Sequence, residues 1–276
     1  MFRGVSEAFF QQLILKLARK PLRTMPGQVI VAQGHVTGEM YLIKSGSVCV
    51  SSYNQEKKRD EKMSVLMPGT TFGESSLWIE ARSLVTVTSN DFCQLYVITA
   101  EDLQQTLKIF PEYKHLVASN AISQCLRTRS LCPGLAGISA ESADQLAKRM
   151  CYEKVEFRDG ECLAVAGMIP TSAYLLKSGK VMSSSGDSSA LSHFGGSGSK
   201  RQMRAVGLTE LFCCQTMVET ITAKGKVVAY RCSLSMIADT FREKPKETNK
   251  LQKCSRKEYA MHFSQVRQRA PDLNIQ

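Results

Sequence analysis

No apolar run in this chain approaches the ~18 residues that a membrane-spanning helix needs. The chain opens on Met1-Phe2-Arg3-Gly4 and passes straight into an amphipathic pattern, with no signal-peptide leader. These two absences predict a soluble, cytoplasmic protein without a span of its own. Ten cysteines are present, but none forms Cys-x-x-Cys, and the four histidines do not cluster near them. A zinc site or a disulfide framework is therefore not expected. Cys49, Cys93, Cys162 and Cys232 fall in apolar strand-like runs and read as small buried hydrophobes in a reducing compartment. His35, His115, His193 and His262 sit in unrelated contexts, with no nucleophile–base pair or metal spacing. An enzyme, a cofactor and a metal are all unexpected. No block of Lys and Arg is long enough to read as a nucleic-acid arm, and no nucleic-acid motif is present.

What is there is folded protein. Hydrophobic residues make up 43% of 276, which excludes a disordered chain and leaves room for two domains. The net charge of +11 suits phosphate ligands or an anionic surface, or serves solubility alone.

The order of elements is written twice. Ser6 caps a helix whose Phe9, Phe10, Leu13, Ile14 and Leu17 fall at helical spacing. Short strand-like runs follow at 29–32, 40–44, 47–51, 63–67, 84–88 and 92–98, separated by turn residues. A polar stretch at 54–61 reads as a solvated hairpin loop. From Thr99 the period becomes helical through Leu103 and Leu107, and Pro111 restarts a second helix. Gly4-Val5-Ser6 then recurs as Gly137-Ile138-Ser139, and Lys44-Ser45-Gly46 as Lys177-Ser178-Gly179, an offset of 133. Val87 and Ile221, Tyr96 and Tyr230, and Pro111 and Pro245 lie 134 apart. A constant offset through helix, strands and helix indicates tandem copies of one domain. Many short strands at close spacing indicate an antiparallel barrel or jelly roll. The expected architecture is thus mainly β with flanking helices, as two tandem jelly-roll domains. They occupy residues 1–130 and 131–245, with a basic C-terminal tail over 246–276 that is either a helix on the domain or disordered. The Ser/Gly-rich stretch 183–199 is expected to be disordered.

Within the first copy, residues 72–87 hold the candidate chemistry. Phe72-Gly73-Glu74 lies between the turn Met67-Pro68-Gly69 and the alternating Val85-Thr86-Val87-Thr88. Glycine lets backbone approach a ligand, a following helix start offers N–H groups to an anion, and a carboxylate accepts hydroxyl hydrogen bonds. Alone, such a turn is most often only packing.

Its surroundings carry a resemblance. Pro26-Gly27-Gln28-Val29-Ile30, Gly34, the run Gly38-Glu39-Met40-Tyr41-Leu42-Ile43-Lys44-Ser45-Gly46, Phe72-Gly73-Glu74 and the helices at 100–113 together resemble a cyclic-nucleotide-binding domain. The first copy is similar to the cytoplasmic domain of cyclic-nucleotide-gated and hyperpolarisation-activated channels. The tandem layout is similar to protein kinase A regulatory subunits. The resemblance implies an eight-stranded jelly roll with a phosphate-binding cassette. Glu74 would hold the ribose 2′-OH, Gly73, Ser75 and Ser76 the cyclic phosphate, and Thr86 would lie near the base. It also implies an Arg about nine residues beyond Glu74. That position is Ser83, and Arg82 stands one residue early. Either a short loop with a bulge brings Arg82 to the phosphate, or Ser83 fills the place with a neutral hydroxyl. The second copy has Gly207 and Glu210 apart and no Arg between Glu210 and Val228, so it is not expected to bind nucleotide.

The function implied is a non-catalytic regulatory module for signal transduction. It would bind cAMP or cGMP in the first domain and transmit closure of a lid helix to a partner protein or to ion-channel subunits, as part of a membrane protein or docked to one. The alternative, of a different class, is a ligand-independent interaction domain whose cassette has lost its phosphate Arg.

Overall fold

The computed structural model describes residues 1–17, 21–54, 58–80, 82–129, 131–184 and 204–269. The chain divides into two compact units, Met1–Val117 and Ala118–Gln276.

The first unit opens with α1 (Glu7–Leu17), capped as expected by Ser6, whose Oγ accepts from Phe9 N at 3.3 Å. Eight strands follow: β1 (Leu22–Thr24), β2 (Val29–Val31), β3 (Glu39–Ser45), β4 (Val48–Asn54), β5 (Arg59–Leu66), β6 (Thr71–Phe72), β7 (Thr86–Ser89) and β8 (Cys93–Thr99). A short helix α2 (Glu74–Trp78) interrupts them between β6 and β7. All pairings are antiparallel, in two four-stranded sheets ordered β1-β8-β3-β6 and β2-β7-β4-β5. This is a jelly roll, with a core drawn from both sheets: Val31, Tyr41, Ile43, Val48, Phe72, Val87, Cys93 and Leu95. Strand β7 alternates half-buried and buried residues, Thr86 and Thr88 against Val87 and Ser89, as a period of two requires.

One strand is longer than its apolar pattern. The hydrophobic signal marks 63–67, yet β5 begins at Arg59, because β4 pairs with it from Val48↔Leu66 to Asn54↔Arg59. A ladder needs only backbone groups, and β5 is a sheet edge, where charged side chains are tolerated. The polar loop expected over 54–61 is shorter by those paired residues.

After β8, Thr99 and Asp102 form a reciprocal capping box on α3 (Ala100–Ile109). A 3-10 turn at Pro111–Tyr113 then leads into α4 (Lys114–Arg127), within which the unit division falls.

The second unit holds α5 (Ala140–Met150), β9 (Lys154–Phe157), β10 (Cys162–Ala164), β11 (Ser172–Ser183), β12 (Ala205–Val206), α6 (Leu208–Cys213), β13 (Ile221–Ser233), α7 (Leu234–Phe241) and α8 (Pro245–Arg269). Its strands form one antiparallel sheet built on the long β11–β13 pair. Five glycine pairs separated by 133 or 134 residues all adopt positive φ: Gly4/Gly137, Gly27/Gly160, Gly34/Gly167, Gly46/Gly179 and Gly73/Gly207. The pair Gly46/Gly179 has the clearest cause. A Cβ on Gly46 would lie 2.5 Å from the Phe92 carbonyl oxygen, and one on Gly179 would lie 2.5 Å from that of Lys226.

Of the cysteines read as buried, Cys93 and Cys232 are, Cys49 is half-buried, and Cys162 is exposed at the start of β10. The alternation in that strand puts Leu163, not Cys162, in the core. The 246–269 portion of the C-terminal segment is helical, and 270–276 lies outside the described residues. So does most of the stretch 183–199, from 185 onward.

Candidate functional site

Gly73 sits where β6 ends and α2 begins, at φ +85°. A Cβ there would come within 2.7 Å of the Glu39 carbonyl oxygen, so only glycine fits. The approach is set by strand pairing. Tyr41 pairs with Phe72 across β3 and β6, and their rings stack with centroids 5.0 Å apart. The Tyr41 hydroxyl donates to Glu39 Oε2 at 2.5 Å. Burial, and then the Glu39 bond, push the Tyr41 phenol far above its ordinary range, so it is a fixed donor.

Ser76 ties the turn down. Its one O–H lies between two acceptors, the carbonyls of Gly73 (2.7 Å) and Glu39 (3.0 Å), and its Oγ is 3.1 Å from Thr37 Oγ1. Glu74 and Ser75 are the first two residues of α2, and Glu74 is half-buried. Trp78 is buried with Leu77 and Ile79, as core. Residues Gly73, Glu74, Ser75 and Ser76 thus form one turn held against the start of β3. Thr37, Glu39 and Tyr41 are supports that motif reasoning passed over, because their contribution is a carbonyl, a carboxylate and a ring contact set by β3 register.

The two candidates for the phosphate cation position differ in exposure and partners. Arg82 is exposed, and its Nη1 donates to the Gly34 carbonyl at 2.9 Å. Ser83 is half-buried. Its N–H donates to the His35 carbonyl at 2.8 Å, its carbonyl accepts from Gly34 N at 2.8 Å, and its Oγ donates to the Val85 carbonyl at 2.7 Å. In an extended segment neighbouring side chains point to opposite faces, which accounts for the contrast in exposure. Thr86 opens β7, and its Oγ1 accepts from Gln33 N at 3.2 Å. The alternation in β7 buries Val87 and Ser89 and leaves Thr86 half-buried on the other face.

In the second unit, Gly207 (φ +73°) precedes α6, and Glu210 in α6 is buried, 3% exposed. His262 of α8 lies between two buried carboxylates: its Nε2 is 3.1 Å from Glu219 Oε2, and its Nδ1 is 3.8 Å from Glu210 Oε1. Glu219 also accepts a short bond from Ser183 Oγ. Burial lowers the His262 pKa, but the bonds and charges of Glu210 and Glu219 outweigh it, and the net shift is upward. The buried Cys232 thiol is pushed up to about 12 by burial, far from the thiolate that nucleophilic chemistry needs. Among the described residues no group of three or more His, Cys, Asp or Glu could hold a metal ion. No helix among them is long and apolar enough to cross a membrane.

Residues 21–109 match the family model of the cyclic nucleotide-binding domain, so the match lies within the first unit and includes every candidate residue from Gly73 to Thr86. Curated relatives include the potassium channel KOR2 of Oryza sativa subsp. japonica, 29% identical over 123 residues, which are 44% of this chain and 17% of the channel. The human potassium/sodium hyperpolarization-activated cyclic nucleotide-gated channel 3 is 25% identical over 127 residues, 46% of this chain and 15% of that one. The chain spans under a fifth of the length of these relatives. Among solved structures, the regulatory domain of Toxoplasma gondii PKA with cAMP is 17% identical at a TM-score of 0.37, covering 94% of this chain and 92% of that one.

Proposed function

We propose that this chain is a non-catalytic regulatory module whose first unit takes a cyclic nucleotide, cAMP or cGMP. The observation that carries the reading is the Gly73 turn, closed so tightly on Glu39 that no side chain fits, within a segment matching the nucleotide-binding family. Glu74 would accept the ribose hydroxyl, and the N–H groups at the start of α2 would face the phosphate. Ser83 stands at the place of the phosphate cation. The Arg82 bond to Gly34 supports that assignment over Arg82 itself. Without a guanidinium there, the phosphate loses about 1–3 kcal/mol of charge-assisted bonding, so binding is weak. The second unit is a divergent copy of the first and takes no nucleotide, consistent with His262 against its Glu210 and with the lack of an Arg from 210 to 228. In this reading the helix after Pro111 closes on the ligand and shifts an existing equilibrium, which a cytoplasmic partner or a channel subunit senses.

Isothermal titration of the full chain with cAMP and cGMP tests this. Weak binding is expected for the wild type. Ser83→Arg is expected to tighten it roughly ten- to a hundred-fold. If neither protein gives heat at millimolar ligand, nucleotide sensing is wrong. The second reading, a ligand-independent interaction domain, then takes its place; the neutral Ser83 hydroxyl, closed on the Val85 carbonyl, already favours it.

A further inference from the structure

Helix α8 has two faces of opposite character. One is fastened to the second unit. Leu251 and Ser255 are fully buried, and Ser255 Oγ donates to the Gly134 carbonyl at 2.8 Å. Glu258 is buried beside Arg129 at 3.8 Å, His262 meets Glu219, and Val266 is 2% exposed. At about 100° per residue, the five residues 251, 255, 258, 262 and 266 form one stripe.

The opposite face carries Lys246, Lys250, Lys253, Arg256 and Lys257, all exposed. On the same helical wheel they occupy an arc of about 120° centred opposite the fastened stripe, over roughly 17 Å of helix. No carboxylate among the described residues pairs with any of the five, whereas cations close by are paired. Lys244 meets Glu141 at 3.2 Å and Arg242 meets Asp239 at 2.6 Å. The two carboxylates of α8 are turned away. Glu247 binds Ser139 N (2.6 Å) and Ser142 Oγ (2.8 Å) at the start of α5, and Glu258 is buried. The helix therefore presents only positive charge to solvent along these three turns.

We infer that the exposed face of α8 is a docking surface for an anionic lipid bilayer. Independently of nucleotide binding, it would hold this protein against a membrane leaflet that carries acidic headgroups. Charge complementarity is the first argument: five unpaired cations on a rigid stripe match a negative surface. Composition decides among anionic partners. Other exposed residues within α8, Asn249 among the cations and Ala260, Met261 and Ser264 beyond them, include no aromatic ring on which a base could stack. A protein partner would need a desolvated anchor at the centre of the patch. Interface centres favour Trp, Tyr and Arg and avoid Lys, yet four of these five cations are lysines. A diffuse planar anionic surface needs no anchor and no readout, only cations within a Debye length.

Sedimentation of the full chain with vesicles tests this, comparing phosphatidylcholine alone with phosphatidylcholine containing about 30 mol % phosphatidylserine. Binding is expected only to the acidic vesicles, and is expected to vanish as salt rises toward about 0.5 M. Each cation is expected to contribute about a fivefold factor, so Lys250→Gln/Lys253→Gln/Lys257→Gln, checked for folding by circular dichroism, should weaken binding about a hundred-fold. A control that removes equal charge from the first unit, Arg23→Gln/Lys62→Gln/Lys108→Gln, should bind like wild type. The proposal is overturned if both vesicle types bind alike or not at all, if the α8 variant binds as wild type does, or if the control loses as much. It is overturned in favour of nucleic acid if duplex DNA or RNA at equal phosphate concentration displaces the protein from the vesicles.

Discussion

Gly46 and Gly73 show how single positions hold the first unit's form. Each has positive φ, and each faces a carbonyl oxygen that an added Cβ would strike, that of Phe92 at 2.5 Å and that of Glu39 at 2.7 Å. The left-handed conformation alone costs a non-glycine residue about 1–2 kcal/mol, and neither neighbour is a flexible side-chain end that can swing away. Gly46→Ala is expected to lower unfolding stability by at least about 2 kcal/mol, read as a lower urea midpoint with an unchanged slope. Gly73→Ala is expected to open the turn and abolish nucleotide heat in titration, even where the protein stays folded. At Arg82 the expectation is the opposite. Its guanidinium is exposed and engaged with the Gly34 carbonyl, so Arg82→Ala should change nucleotide affinity less than threefold, about 0.6 kcal/mol. A tenfold loss would return Arg82 to the phosphate. The turns at the positive-φ glycines were legible from motif and spacing. Which of Arg82 and Ser83 is exposed was not, because a one-residue difference in strand register reverses which side chain faces inward.

At the scale of elements, α8 is the part whose sequence misleads. Its fastened side is largely polar: Ser255 and Glu258 are buried beside Leu251 and Val266, and His262 is half-buried among them. A hydrophobic periodicity search cannot find a face fastened by hydrogen bonds and ion pairs. That fastening is titratable. His262 has its pKa raised in the folded protein because its bond to Glu219 and the charges of Glu210 and Glu219 outweigh burial. A histidine raised on folding contributes stability that is complete below its unfolded value, about 6.5, and is lost as pH rises through the folded value. Wild type is therefore expected to exceed His262→Gln in thermal stability most at about pH 6, with the difference shrinking steadily above about pH 6.5. A difference that grows with pH would show that the carboxylates do not hold the imidazolium. Strand β5 teaches the same lesson from the other side. Its first residues are too polar to be read as strand, and only pairing with β4 extends the ladder to Arg59.

For the whole molecule, two compact units on one chain imply two unfolding events. Calorimetry is expected to resolve two transitions. Gly46→Ala should lower one of them, and millimolar cyclic nucleotide should raise that same one, by mass action on the folded form. A ligand shift in the other transition would place the nucleotide in the second unit. Sequence alone determined much of this protein: a mainly β architecture with flanking helices, the 133-residue recurrence of glycines, and the Gly73-Glu74 turn. Each depends on local periodicity, turn chemistry or exact repetition, which are properties of neighbouring residues. Tertiary structure alone decided which of Arg82 and Ser83 is half-buried, that His262 sits between Glu210 and Glu219, and that five cations of α8 share one face with no carboxylate partner among the described residues. Those outcomes depend on register across strands and on contacts between residues more than forty positions apart, such as His262 with Glu219 and Arg82 with Gly34. Local pattern carries no information about which distant backbone or charge will lie opposite.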